Sequence, residues 1–125
     1  AQLHKDKGRV LAALGKYGEA AEAYDLAFRL DHDPDALFNK GRALLMMRNY
    51  DLALDAFDQC IALDGSVAHF HSDRGRALAS LNRLEDAVSA FDKALALDRN
   101  DAQTWKYKGN ALFRLGQLER AGMLQ

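Results

Sequence analysis

Several residue types are scarce in this 125-residue chain, and each scarcity excludes a class of protein. There is one cysteine, Cys60, so no disulfide can form within the chain and nothing calls for an oxidising compartment. We therefore expect a cytoplasmic location. There is one proline, Pro34, and with 49% hydrophobic and 28% charged residues this composition argues against disorder and favours a helical globular protein.

An excess of charge of one sign and long apolar runs are also lacking. The formal net charge of −1 excludes the strongly basic balance of a protein whose main task is binding nucleic-acid phosphates. The longest apolar runs, at residues 10–14 and 43–47, are far shorter than the roughly 20 residues that a membrane span needs. The sequence therefore predicts a soluble protein with no nucleic-acid or membrane partner.

Four glycines recur at one phase, at intervals of 33, 34 and 34 residues: Gly8, Gly41, Gly75 and Gly109. Such a fixed period is typical of a chain that stacks one small supersecondary unit on itself. The glycines divide the chain into units at about residues 1–33, 34–67, 68–101 and a partial unit at 102–125.

Apolar residues recur in the same register and form two stripes in each unit. The first stripe contains the glycine, the residue four positions before it and the leucine three positions after it. The residues four positions before the glycines are His4, Leu37, His71 and Trp105. The leucines are Leu11, Leu44, Leu78 and Leu112. The second stripe holds four columns: Ala20, Ala53, Ala87 and Ala121; Tyr24, Phe57 and Phe91; Ala27, Cys60 and Ala94; Leu30, Leu63 and Leu97. Spacings of i, i+4 and i+7 predict two amphipathic helices in each unit.

The breaks between the stripes are short. They are polar or contain glycine, and lie at residues 15–17, 48–50, 82–84 and 116–118. Breaks of this length allow only antiparallel helical hairpins. Between units, Asp33, Ser66 and Asn100 suit the N-cap of the next helix, and Pro34 suits a first helical position.

The four glycines fall within predicted helices and need a reason to be there. A glycine in mid-helix costs about 1 kcal/mol relative to alanine. We expect each glycine to face an alanine of the partner helix, so that the two backbones approach closely. A leucine at Gly41 or Gly75 should then overpack the contact by about 1 to 3 kcal/mol.

This pattern resembles the tetratricopeptide repeat (TPR), a helix-turn-helix family. Trp105 with Gly109, and Ala87 with Phe91 and Ala94, match its signature closely, and the resemblance covers essentially the whole chain. It implies an all-α, right-handed α-solenoid of antiparallel helix-turn-helix repeats, with residues 1–125 in a single array. The first helices would line a concave groove that holds a peptide or helix of a partner, and the partial fourth unit would cover the third.

The stripe beside the buried one on each first helix should face this groove. Arginine recurs in it at Arg9, Arg42 and Arg76, and a guanidinium group binds a carboxylate through two parallel hydrogen bonds. The sequence thus predicts an acidic partner that also carries apolar side chains. The candidate partner-binding residues are Lys5, Arg9, Phe38, Asn39, Arg42, Leu45, Arg76, Lys106, Asn110 and Phe113. The alternative is that repeated arginines are ordinary helix surface copied by duplication.

One subgroup of the family clamps the C-terminal carboxylate of chaperones with lysine, asparagine and arginine at set positions. Lys5 and Asn39 fall on matching positions. Arg9 stands where asparagine is expected, and His69 and Asp73 stand where basic residues are expected. Asp73 would repel the carboxylate, so the resemblance to this subgroup is incomplete.

Nothing in the sequence indicates catalysis, a cofactor or a metal site. His69 and His71 stand at i and i+2 and would point in different directions on a helix, and Cys60 occupies a small-residue column that favours a buried, inert thiol. No phosphate loop or nucleophile motif is present. The prediction is a non-enzymatic protein-interaction module.

Two alternatives remain open from the sequence. The chain could be a regulatory or targeting segment of a larger enzyme or signalling protein. It could also associate with itself through an open end near Met123 and Leu124.

Overall fold

The computed structural model describes residues 1–123, which form seven α-helices and no β-strand. The helices are α1 (Gln2–Ala13), α2 (Tyr17–Asp31), α3 (Pro34–Met46), α4 (Tyr50–Leu63), α5 (Ala68–Ser80), α6 (Leu84–Leu97) and α7 (Ala102–Arg120). The predicted all-α class of helical repeats is confirmed. The helices fall into two compact units: unit 1, residues 1–65, holds α1–α4, and unit 2, from Ser66 onward, holds α5–α7. That both units belong to one continuous array stays a prediction.

Three helical hairpins close in the same way. Gly15, Arg48 and Asn82 adopt left-handed backbone conformations, with φ of 78°, 62° and 62°. The next residue in each hairpin donates its backbone N–H to the carbonyl of Leu11, Leu44 or Leu78, at 2.8, 2.9 and 2.9 Å. This bond satisfies a carbonyl at the end of the first helix and reverses the chain within three residues. The turns predicted at 15–17, 48–50 and 82–84 are confirmed.

The predicted fourth break at residues 116–118 is wrong, because α7 runs without interruption from Ala102 to Arg120. The left-handed turn lies instead at Gly122, with φ of 72°, where Met123 N–H donates to the carbonyl of Leu118 at 3.0 Å. Glycine permits such a turn but does not impose it, and at Gly116 the bonds of a continuing helix outweigh the propensity cost of about 1 kcal/mol. Of the predicted self-association surface, Met123 is exposed and Leu124 lies outside the described residues.

Each buried glycine faces an aromatic ring rather than an alanine. A Cβ added at Gly8, Gly41 or Gly75 would lie 2.7, 2.6 or 2.5 Å from the ring of the second helix in the same hairpin. These rings belong to Tyr24, Phe57 and Phe91, all of which are buried. The expected alanine contact is therefore corrected: the ring takes the space that a side chain on the glycine would fill.

Four predicted apolar columns are exposed in part or throughout, and in two of them the exposed member is Leu112 or Ala121. Leu30, Leu63 and Leu97 are exposed because each stands at or next to the last residue of its helix, beyond the turns that pack against the partner. Trp105 is 51% exposed, although it continues the stripe that holds the buried Leu37 and His71. The second helix of a hairpin covers this stripe, and within residues 1–123 α7 has no such helix.

The N-cap predictions hold at one of three positions. Asp33 caps α3 by accepting the N–H of Asp35 at 3.0 Å, and Pro34 is the first helical residue, as predicted. Ser66 and Asn100 are not the caps, because α5 and α7 begin one residue later, after Val67 and Asp101.

A buried pair of hydroxyl groups fixes α7 to α5. Thr104 is fully buried, and its Oγ1 donates to Asp101 Oδ2 at 2.8 Å. Because a threonine hydroxyl has one hydrogen, Ser72 is the donor in the 2.8 Å bond between Ser72 Oγ and Thr104 Oγ1. The bond from Thr104 lowers the pKa of Asp101.

Candidate functional site

Unit 1 contains an open pocket of about 420 Å³ that brings together three of the predicted partner-binding residues. Arg9 comes from α1, and Asn39 and Arg42 come from α3. The rest of the lining mixes apolar and phenolic side chains: Ala12, Tyr17, Tyr24, Ala43 and Met46. The pocket thus combines two guanidinium groups and one amide with apolar and phenolic side chains.

The charges around this pocket are held by local contacts. Arg9 Nη1 lies 3.1 Å from Asp6 Oδ1, in a pair whose members are both more than half exposed. The Arg42 guanidinium carbon lies 5.8 Å from the centre of the Phe38 ring, which itself packs on Phe57 with 5.8 Å between ring centres. Exposed pairs of this kind contribute about 0.2 to 1 kcal/mol, so a ligand carboxylate can displace Asp6 at small cost.

Tyr24 lines the pocket and is itself buried. Burial raises the pKa of its phenol, while the positive charges of Arg9 and Arg42 act in the opposite direction. The phenol is therefore neutral at physiological pH and can donate a hydrogen bond. The sequence pattern identified Tyr24 as a core residue and missed that it lines the same pocket as Arg9 and Arg42. The aromatic column was the signal that could have found it.

Lys5 and Leu45 were predicted to face the groove, but both are buried. Lys5 Nζ lies 2.8 Å from Asp33 Oδ2 and 3.9 Å from Asp35 Oδ2. The hydrogen bond that Lys5 donates to Asp33 raises the pKa of Lys5, against the opposing effect of burial.

Unit 2 has a smaller pocket, of about 220 Å³, at positions two repeats further along the chain. It brings Arg76 and Asn110 together with Tyr107 and Arg114. The Arg76 guanidinium carbon lies 5.0 Å from the centre of the Tyr107 ring, and Arg76 Nη1 lies 3.3 Å from Asp73 Oδ1. The sequence pattern missed Tyr107 and Arg114, which flank the predicted stripe on α7.

Arg114 is fixed by bonds within unit 2. Its guanidinium donates to the carbonyl of Ala79 at 3.2 Å and to Asn82 Oδ1 at 3.0 Å. The remaining predicted residues, Lys106 and Phe113, lie on the exposed side of α7.

Other side chains with possible chemistry have structural surroundings. Cys60 is buried, its Sγ lies 3.7 Å from the carbonyl oxygen of Pro34, and burial raises its thiol pKa to about 12. Within residues 1–123, no group of three or more His, Cys, Asp or Glu side chains could hold a metal ion. None of the helices formed by these residues is long and apolar enough to span a membrane.

Family comparisons agree with the repeat pattern. A model described as "Tetratricopeptide repeat" matches residues 5–68, and one described as "TPR repeat" matches residues 75–116. The chain belongs to the tetratricopeptide repeat family. The resemblance inferred from the glycine, alanine and aromatic columns is confirmed, and TPR chains are protein-interaction modules. No curated protein sequence matches the chain.

Several solved TPR structures are similar to this TPR chain. The first TPR of Spaghetti (RPAP3), bound to the HSP90 peptide SRMEEVD, is 25% identical, with a TM-score of 0.88 and coverage of 92% of each chain. The second TPR domain of human RPAP3, in complex with the HSP70 peptide SGPTIEEVD, is 28% identical, with a TM-score of 0.83 and coverage of 86% of this chain and 91% of that one. The Sgt2 TPR domain from Aspergillus fumigatus, at 17% identity, shares the fold, with a TM-score of 0.90 and coverage of 95% and 81%.

Proposed function

We propose that this TPR chain is a non-enzymatic interaction module that binds an acidic segment of a partner protein, with apolar side chains, in the unit 1 pocket. The observation that carries the proposal is the meeting of Arg9 and Arg42, from different helices, in one pocket with Asn39. The similar RPAP3 domains support it, since both bind peptides that end in EEVD. A cytoplasmic location stays part of the proposal.

The pocket suits one carboxylate and its neighbouring apolar group. Two guanidinium groups can each bind a carboxylate through parallel hydrogen bonds, and the Asn39 amide can donate a further one. Charge alone would bind weakly at an exposed site, so the apolar contacts of Met46 and Ala43 must supply much of the affinity.

In the proposed mode, arginines replace the lysine contact of the chaperone-clamping subgroup. Lys5 matches that subgroup's position but already pairs with Asp33. We therefore assign the carboxylate contact to Arg9 and Arg42. In unit 2, we propose that Arg76, Asn110, Lys106 and Phe113 make secondary contacts.

The test uses the peptides SRMEEVD and SGPTIEEVD as fluorescent probes. We expect Arg42→Glu, and separately Arg9→Glu, to weaken binding at least about tenfold, because each places a negative charge against the ligand carboxylate. Arg99→Glu, the same charge change on the exposed loop before α7, is the matched control and should leave affinity unchanged. Circular dichroism checks that all variants keep their helices.

Two further measurements separate charge from apolar capture. Probes in which glutamine and asparagine replace the acidic residues should bind at least about tenfold more weakly, and affinity for the acidic probes should fall steeply with added salt. Failure of both acidic probes to bind, or unchanged affinity in a correctly folded Arg42→Glu variant, contradicts the proposal.

A further inference from the structure

The three hairpins share one contact, a ring seated on a glycine. Tyr24 covers Gly8, Phe57 covers Gly41, and Phe91 covers Gly75. In every case small residues stand four before and three after the aromatic: Ala20 and Ala27, Ala53 and Cys60, Ala87 and Ala94. In all three hairpins, the helix that packs on the glycine therefore carries an aromatic residue flanked by small residues.

The fourth first helix, α7, presents the same face without a ring on it. Apart from Gly109, its two chain neighbours and the backbone of its own helix, no heavy atom of the described residues lies within 4 Å of the position that a Cβ at Gly109 would occupy. Trp105 and Leu112 lie one turn before and one turn after this glycine and are 51% and 47% exposed. We call the surface formed by Trp105, Gly109 and Leu112 the Gly109 face.

Charge distinguishes the helices that carry the glycine from those that carry the ring. The ring-bearing helices are acidic: α2 has four acidic and one basic residue, α4 has three and none, and α6 has three and one. The glycine-bearing helices α1, α3 and α5 have more Lys and Arg than acidic residues. On α7, four basic residues accompany the single acid Glu119: Lys106, Lys108, Arg114 and Arg120.

We propose that the Gly109 face docks an acidic amphipathic helix of a partner protein whose aromatic side chain, flanked by small residues four before and three after, seats on Gly109. The ring would pack between Trp105 and Leu112, as Phe91 packs on Gly75 in unit 2. This surface lies on α7 and is distinct from the unit 1 pocket proposed to bind an acidic segment.

A second copy of the chain is a poorer occupant. Its helices with the required pattern, α2, α4 and α6, already seat their rings on glycines of their own hairpins. A second copy would have to open a hairpin before it could offer one. A second copy also carries the exposed Phe113 on α7, with the small residues Gly109 and Gly116 four positions before and three positions after it. However, α7 is basic, so the α7 helices of two copies would repel each other.

The test uses a peptide with the sequence of Leu84–Leu97, kept helical by a hydrocarbon link that replaces the exposed Ser89 and Lys93. Trp105 is the only tryptophan in the chain, so its fluorescence reports directly on the Gly109 face. We expect a saturable blue shift of its emission. The same peptide with alanine in place of Phe91 should bind at least about tenfold more weakly, because it lacks the ring.

Variants of the protein complete the test. Gly109→Leu places a side chain in the space for the ring, where an added Cβ meets no neighbour, and should weaken peptide binding at least about tenfold. Gln117→Ala, on the same helix, is the matched control and should bind as the wild type does. Raising NaCl from about 50 mM to about 500 mM should weaken binding, since an acidic helix meets a basic one.

Three outcomes would overturn the proposal. One is the absence of any change in Trp105 emission with the linked peptide. Another is binding that persists unchanged when the peptide lacks its ring or when the protein carries Gly109→Leu. The third is dimerisation of the protein alone, seen by sedimentation and abolished by Gly109→Leu, which would assign the face to a second copy.

Discussion

Gly75 and Gly109 occupy equivalent positions on α5 and α7 but have different surroundings. A Cβ at Gly75 would lie 2.5 Å from the Phe91 ring, whereas a Cβ at Gly109 would meet open space among the described residues. Both glycines carry the propensity cost of a mid-helix position. At the scale of the residue, the surroundings of each glycine therefore decide whether replacing it raises or lowers the stability of the fold.

The same substitution should have opposite effects at these two positions. We expect Gly75→Ala to lower the free energy of unfolding by about 1 to 3 kcal/mol, because the buried ring has to shift. We expect Gly109→Ala to raise it by about 1 kcal/mol, since alanine is the better helix former. Urea denaturation followed by circular dichroism measures both. Equal changes at the two positions would contradict the ring-on-glycine contact.

The residue pattern predicted which positions are special but not always what each one touches. The glycine column was predictable because glycine destabilises an isolated helix, so its recurrence at one position of every repeat indicates a packing contact. The residue that contacts each glycine was not predictable from the sequence, because an alanine column and an aromatic column both recur on the second helix. Only the packed hairpin shows that the aromatic ring lies against the glycine. Trp105 fits the buried column by spacing, yet its exposure depends on which helices are present to cover it.

At the scale of the element, the start of α3 combines a cap with an ion pair. Asp33 Oδ1 accepts the N–H of Asp35, and Asp33 Oδ2 accepts from the Lys5 ammonium at 2.8 Å. The bond from Lys5, followed by the backbone bond from Asp35, lowers the pKa of Asp33 below its ordinary value of 3.8. One side chain thus joins α1 to the first turn of α3.

A lowered pKa in the folded state makes this contribution depend on pH. It is fully present above the ordinary pKa of aspartate and is lost as pH falls through the lower folded value. Asp33→Asn keeps an oxygen for the cap but removes the charge. We expect this variant to be less stable than the wild type at neutral pH, with a difference that narrows between about pH 5 and pH 2.

Urea denaturation at a series of pH values measures the difference, and Lys5→Met is the partner control. In a Lys5→Met background, Asp33→Asn should have a smaller effect with a weaker pH dependence. A stability difference that stays constant down to pH 2 would contradict a role for the Lys5–Asp33 pair.

The elements themselves were largely predictable. Three of the four turns lie where polar or glycine-containing breaks indicated them, because a short break between two apolar stripes leaves the chain little choice. The fourth did not form, because at Gly116 the hydrogen bonds of a continuing helix outweigh the helix-propensity cost of glycine. The pocket residues Arg9 and Arg42 could be paired from their shared phase, but Lys5 could not be placed without its distant partner Asp33.

At the scale of the whole chain, the sequence provides one local reporter in each unit. Cys60, in unit 1, has a buried thiol with a pKa of about 12, so native protein should react slowly with thiol reagents near neutral pH. Trp105, in unit 2, is the only tryptophan. If residues 1–125 form one array, we expect Cys60 labelling and Trp105 fluorescence to give the same urea midpoint.

Separate midpoints would show that the two units unfold independently and would contradict one cooperative array. Gly75→Ala sharpens the comparison. In one cooperative array, this unit 2 variant should shift the urea midpoint reported by Cys60 as well as the one reported by Trp105. If the units are independent, it should shift only the midpoint reported by Trp105.

The alternation of basic first helices with acidic second helices also affects how such a chain could grow. The three full repeats have formal charges of −1, −2 and −1, because each hairpin nearly neutralises itself. Duplicating a hairpin therefore adds length with little additional self-repulsion. Gene duplication could extend a protein of this design by whole repeats without first having to rebalance its surface.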